Sequence, residues 1–95
     1  MSANAPIIHD PAAKQFYMTV EGSRAYLAYM DLGKQTMDIY RTFVPDELRG
    51  HGIAADLTEH ALQYAYARGY TVIPSCSYVE RYMERQSHTG QRSQN

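Results

Sequence analysis

The stretch Pro45-Asp46-Glu47-Leu48-Arg49-Gly50-His51-Gly52-Ile53-Ala54 decides how this chain folds. Residues 36–44 before it, Thr-Met-Asp-Ile-Tyr-Arg-Thr-Phe-Val, read as a strand, and an amphipathic helix follows from about Gly52 to Arg68. Pro45 ends the strand, because it has no N–H to give a ladder. Gly50 and Gly52 lack Cβ, so the chain can turn tightly and let a bulky anion reach its backbone. The first N–H groups of a helix have no acceptor inside it and sit at its positive end. Strand, glycine turn and helix N-terminus together form a cradle for phosphate oxygens. The same pattern also serves as a plain strand-to-helix connection with nothing bound.

Upstream, Gln15 to Val20 alternates, with Phe16, Met18 and Val20 on one face of a first strand. Glu21-Gly22-Ser23 makes a turn, and Arg24 to Met30 a second strand. Asp31 to Gln35 turns into the third strand at Thr36. Such short connections imply an antiparallel meander. Downstream, Ile53, Leu57, Ala61, Tyr64 and Ala65 form the apolar stripe of the helix, and Gly69 stops it. Thr71 to Ile73 is a short fourth strand closed by Pro74. After a strand–helix unit it should lie parallel to the third strand through a right-handed crossover. Ser77-x-x-Glu80 reads as a capping box for a second helix from about Tyr78 to Gln86.

The expected fold is α+β in the order β-β-β-α-β-α: a meander plus one parallel pair, with helices packed on the sheet. Residues 1–13, with Pro6 and Pro11, read as a loose lead-in, 14–86 as the domain and 87–95 as a frayed polar tail. Ninety-five residues allow one domain with a modest core, so a monomer or weak homodimer is expected. A net charge of −1 with mixed signs gives no basic stripe for nucleic acid and no cationic helix for a membrane surface. The single cysteine excludes an intramolecular disulfide, which suits a cytoplasmic location. Of the nine tyrosines, Tyr17, Tyr26, Tyr29 and Tyr40 fall in strand patterns, as core or as an interface or flat ligand surface.

Arg49, Gly52 and Ala54 fit the R/Q-x-x-G-x-G/A signature, and the wider run is more specific still. Val44-Pro45, Glu47-Leu48, Arg49 to Ala54, Pro74, Cys76-Ser77 and Tyr78-Val79 follow in that order. This pattern resembles the GNAT superfamily of acetyl-CoA-dependent N-acetyltransferases, and within it a group of short proteins of about this length. The likeness spans Phe16 to Arg85. It implies a GNAT fold without the helices that usually separate the first two strands, hence an open acceptor groove. It also implies transfer of an acetyl group to an unidentified amine, of a small molecule or a protein. The alternative is a coenzyme A or acyl-CoA-binding module with little or no catalysis. Two departures, Arg41 where the short group often has histidine and Arg85-Gln86-Ser87-His88 after the second helix, touch the acceptor site and the C-terminal edge of the coenzyme pocket.

By this resemblance the pyrophosphate of coenzyme A sits on the backbone of Arg49, Gly50, His51, Gly52, Ile53 and Ala54. Arg49 adds a planar, charged fork suited to phosphate. The pantetheine arm enters where the parallel strands splay, near Thr42 to Val44 and Val72 to Pro74, and N–H groups of Phe43 or Val44 meet the acyl carbonyl. Cys76 stands beside the thioester, as an acyl-accepting nucleophile or as a lining of the channel. Tyr82 resembles the general acid for the departing thiolate, with Tyr78 one turn earlier as the reserve. Glu47, Asp46 and His60 are the base candidates, and the sequence does not choose among them. No metal site is expected.

Overall fold

The computed structural model describes residues 5–94, with side chains described over residues 5–86. A five-stranded sheet runs in sequence order: β1 (Ile8–Asp10), β2 (Gln15–Val20), β3 (Ser23–Gly33), β4 (Thr36–Phe43) and β5 (Thr71–Pro74). Helix α1 (Ile53–Ala67) crosses from β4 to β5, and α2 (Ser77–Gln94) follows β5. The first four strands are antiparallel, whereas β4 and β5 are parallel, pairing Thr36 with Thr71 through Ile39 with Pro74. The expected α+β meander with one parallel pair is therefore the fold.

The β2–β3 and β3–β4 hairpins each turn on two residues at positive φ, Glu21-Gly22 and Lys34-Gln35. That is the requirement of a type I′ turn, whose twist matches the strands it joins. The second hairpin is tighter than the sequence suggested, since β3 continues to Gly33. Residues 8–10, expected within a loose lead-in, add an edge strand, because His9 finds an aromatic bed. Its ring stacks on Phe16 at 4.2 Å, meets the edge of Tyr64 at 4.4 Å and hydrogen-bonds the Tyr29 hydroxyl through Nε2 at 2.7 Å.

Helix α2 begins one residue before its expected start and runs past Gln86 to Gln94. Once a helix is nucleated, each further residue adds a hydrogen bond at little cost. The side chains of the expected frayed tail, 87–95, lie outside the described residues. Ser77 and Glu80 do not form the expected capping box. The Cys76 carbonyl accepts the first helical bond, from the Glu80 N–H at 2.9 Å, so Cys76 itself holds the N-cap position.

Both helices lie on one face of the sheet. Phe16, Met18, Leu27, Tyr29, Met37, Ile39 and Val72 meet Ile53, Leu57, Ala61, Leu62 and Ala65 of α1 and Val79 of α2 in a single buried cluster. Among the described residues no helix is long and apolar enough to cross a membrane, and no cluster of side chains suits a metal ion.

The His9 bed makes stability depend on pH. Burial, and after it the Arg68 charge, holds the imidazole below its ordinary 6.5, with Asp10 pulling it upward. Burial also pushes the Tyr29 phenol up to about 12, helped by Tyr64, Asp31, Tyr70 and Asp10, so it stays protonated. A base whose pKa is depressed by folding contributes stability above its unfolded value, and loses it as pH falls from there through the folded value. The melting temperature should therefore fall between pH 7.5 and 5, a range set around that ordinary value. In thermal melts, His9→Gln should start lower at pH 7.5 and lose less over the same range.

Candidate functional site

The loop between β4 and α1 is fixed before it meets any ligand. Pro45 opens a single 3-10 turn, Asp46–Leu48, closed by hydrogen bonds from Leu48 N–H to the Pro45 carbonyl and from Arg49 N–H to the Asp46 carbonyl. Leu48 is buried and anchors the turn in the core. The Ser23 hydroxyl donates to the Glu47 carboxylate, tying the turn to the start of β3. That bond, followed by the backbone of Glu47, holds the carboxyl below its ordinary range, with burial acting weakly against it. Arg49 Nε donates to the Val44 carbonyl at 3.2 Å, and its exposed guanidinium meets Asp46 at 3.3 Å. An ion pair so exposed adds little stability, but it sets the direction of the Arg49 fork.

Gly50 and Gly52 take φ of +85° and +74°. A side chain at either would sit in the left-handed region, at about 1–2 kcal/mol. Gly52 is the N-cap of α1, and the first helical bond runs from Asp56 N–H to its carbonyl at 3.0 Å. The N–H groups of Ile53, Ala54 and Ala55 thus have no acceptor within the helix, and no side chain caps them. They open on a groove of about 250 Å³ lined by Val44, Leu48, Arg49, Gly50, Gly52, Ile53, Ala54, Ala55 and Tyr78. Unpaired donors at the positive end of a fifteen-residue helix suit an anion, and the apolar walls suit an aliphatic chain.

Beyond the groove the parallel strands part. Pairing stops at Ile39 and Pro74, but β4 continues to Phe43. The Cys76 N–H to the Ile39 carbonyl, 2.9 Å, is the last backbone link. A bulge helps: Ile39 faces Tyr29 and Arg41 faces Ala28, leaving Tyr40 in excess. From Tyr40 to Phe43, the edge of β4 toward α2 has no strand beside it. At the mouth of this gap the Thr42 hydroxyl and the Cys76 thiol touch at 3.6 Å. Burial pushes the thiol up, but hydrogen bonds from the Val79 backbone, the Thr42 hydroxyl and the Tyr78 and Thr42 backbones outweigh it. The thiol ends below its ordinary 9.0, as expected at a helix start.

Tyr78 stands in the groove wall, and Tyr82 follows one turn on with ring centroids 6.5 Å apart. Burial raises both phenols: Tyr78 with Asp56 and against Arg85, Tyr82 with Glu59, Tyr78 and Asp56 and against Arg85. The Tyr82 hydroxyl accepts a hydrogen bond from the Gln86 amide at 3.4 Å.

The structure thus brings Val44, Arg49, Gly50, Gly52, Ile53, Ala54 and Tyr78 into one groove, with Cys76 just past it. His51, exposed on the loop, is not in the lining, and Tyr82 lies beyond it. Glu47 and Asp46 are engaged by Ser23 and Arg49, and His60 is exposed on α1. Sequence reasoning missed Leu48 and Ala55 as walls and Thr42 as the partner of the thiol. No sequence signal could have found the last: alternation from Met37 and Ile39 would put Arg41 on the helix side, and only the bulge at Tyr40 shifts Thr42, opposite Leu27, to that face.

A family model described as GCN5-related N-acetyl-transferase matches residues 15–92. Protein NATD1 of Xenopus tropicalis is 33% identical over 85 residues, covering 87% of this chain and 78% of that protein. Protein NATD1 of Gallus gallus is 35% identical over 78 residues, covering 80% and 71%. Protein NATD1 of Danio rerio is 29% identical over 90 residues, covering 93% and 82%.

The Thr42 contact has a measurable consequence. Thr42→Val removes a donor to the thiolate, so the Cys76 pKa should rise and its alkylation by iodoacetamide at pH 7 should slow. The pH profile of the alkylation rate separates this from altered access, which would lower the rate equally at every pH.

Proposed function

The chain belongs to the GCN5-related N-acetyltransferase family, and from that membership we propose that it binds acetyl-coenzyme A and passes the acetyl group to an amine. The groove at the start of α1 carries this reading. Its unpaired N–H groups on Ile53, Ala54 and Ala55 offer donors to a pyrophosphate, and the left-handed Gly52 keeps the approach clear. Arg49 adds charge at the rim. The apolar stretch from Leu48 and Ile53 to Val44 and Tyr78 offers a bed for the pantetheine arm, which then follows the bare edge of β4 toward Thr42 and Cys76.

Bound acetyl-coenzyme A supplies an acyl group already activated as a thioester. The residues around it position that group, exclude water and handle protons. Backbone N–H groups on the free edge of β4, at Phe43 or Val44, stabilise the acyl oxygen as charge builds on it. Tyr82, its phenol kept protonated, gives a proton to the leaving thiolate, while Tyr78 holds the coenzyme in the groove. Cys76 lines the channel beside the thioester, and the amine attacks the carbonyl directly.

A second reading is a coenzyme A-binding module with little catalysis. The base candidates favour it: Glu47 and Asp46 are occupied, and His60 is exposed on α1 outside the groove's lining. Under the first reading the amine enters already deprotonated or loses its proton to water.

Titration calorimetry tests the binding step. Coenzyme A should bind the wild-type protein, and Gly52→Ala should weaken it at least about tenfold through strain and obstruction at the helix start. Turnover separates the two readings. Tyr82→Phe should lower kcat about a hundredfold with the dissociation constant of coenzyme A unchanged. Binding without turnover in the wild type establishes the module instead. Intact mass after incubation with acetyl-coenzyme A alone should show no hydroxylamine-labile adduct on Cys76.

A further inference from the structure

The sheet face away from the helices carries no helix of its own. The cross-strand register puts Ile8, Tyr17, Tyr26 and Phe43 in one row across β1, β2, β3 and β4. The row is apolar at both exposed ends, Ile8 and Phe43, and the Tyr26 and Phe43 rings lie 5.6 Å apart. An arginine flanks the row on each side. Arg24 places its guanidinium 3.6 Å from the Tyr17 ring centroid, and Arg41 lies 5.9 Å from both Tyr26 and Phe43. Neither guanidinium is paired with a carboxylate: Arg24 donates to the Gln15 side-chain oxygen at 3.5 Å, and Arg41 meets the two rings. Two acids share the face, but Asp10 already accepts from the Ala13 N–H and Asp38, a row beyond Arg41, has its Oδ1 buried.

Resting on the acetyltransferase reading above, we propose that this stripe docks the acetyl acceptor, and that the acceptor is a peptide with acidic residues beside its reactive amine. The stripe ends on Phe43, whose strand neighbour Thr42 touches Cys76 on the opposite face, so it leads to the reaction gap. Aromatic rows give flat, rigid contact area at low entropic cost. Two guanidiniums without acids in place call for carboxylates, and they repel a lysine-rich tail or a polyamine. A second copy of the chain brings the same two arginines, with Asp10 and Asp38 as the acids on this face, each with one oxygen engaged or buried. Nucleic acid wants a broad basic surface, which a chain of net charge −1 does not offer, and nucleobase amines are poor nucleophiles.

The test uses the full chain and two C-terminally labelled peptides with the same free N-terminus, Ala-Asp-Phe-Glu-Asp and Ala-Lys-Phe-Arg-Lys. In fluorescence anisotropy at low salt the acidic peptide should bind at least about tenfold tighter, and salt should erode the difference. It should also be acetylated with the higher kcat/KM. Changing Arg24→Glu and Arg41→Glu together should reverse the preference and leave coenzyme A affinity unchanged by calorimetry. Should that pair fail to fold, Arg24→Gln with Arg41→Gln should abolish the preference. Equal affinity for both peptides, tighter binding of oligouridine through the same arginines, or a dimer that the arginine changes dissociate would each overturn the proposal. Failure of coenzyme A to bind sinks the reading of the preceding subsection. Loss of charge preference in a protein that does bind coenzyme A sinks the docking surface alone.

Discussion

The hydrogen bond from the Cys76 N–H to the Ile39 carbonyl is the last link between two parallel strands, and the rest of the site depends on its being the last. Had β5 run on beside Tyr40 to Phe43, every backbone group of β4 would be spent on the sheet. Pro74 prevents this, since it ends β5 without a donor to extend the ladder. The chain then turns at once into α2, which places a helix N-terminus where the next pair of strand residues belonged. One early ending therefore makes three things together: a free strand edge, a gap beside it and a polarised thiol at its mouth.

The second fixed point lies at the other end of β4. There the strand passes into α1 within one 3-10 turn, and the left-handed glycines aim the helix start along the same edge. The strip between the two helix N-termini runs from the groove, which Gly52 lines, to the gap, where Cys76 touches Thr42 of β4. The local physics gives its order: charge is met first at α1, apolar surface next, and the thiol last.

Much of this was legible in the residues. The period-2 runs, the glycine turn and Pro45 and Pro74 define the strands and their ends, because each acts through local backbone chemistry. The glycine loop was readable for the same reason: φ near +74° at Gly52 is a demand that sequence displays. Three features were not. β1 forms because His9 fits between Phe16, Tyr29 and Tyr64, partners up to fifty-five residues away, and no local pattern encodes that. The N-cap of α2 fell to Cys76 because strand pairing holds its backbone in place, overriding the Ser77–Glu80 pattern. The pairing of Thr42 with Cys76 appears only once the strands have parted. Of the candidate base residues, spacing put Glu47 and Asp46 near the loop but could not reveal that Ser23 and Arg49 already held them.

The sheet order, one strand after the next from β1 to β5, has a consequence for how the protein is made. Each strand joins the one synthesised just before it, and only the step from β4 to β5 passes through a crossover, α1. A growing chain emerging from the ribosome can therefore lay down four strands in turn, each closing a short loop. During that interval the apolar face of the meander has nothing to cover it, so the arrival of α1 ends the most vulnerable stage of synthesis. The glycine loop is complete as soon as α1 docks. The gap beside β4 is not, because both of its remaining walls, β5 and the start of α2, come last. A nascent chain thus completes the glycine loop before it completes either the groove, which waits for Tyr78, or the gap, which waits for Cys76.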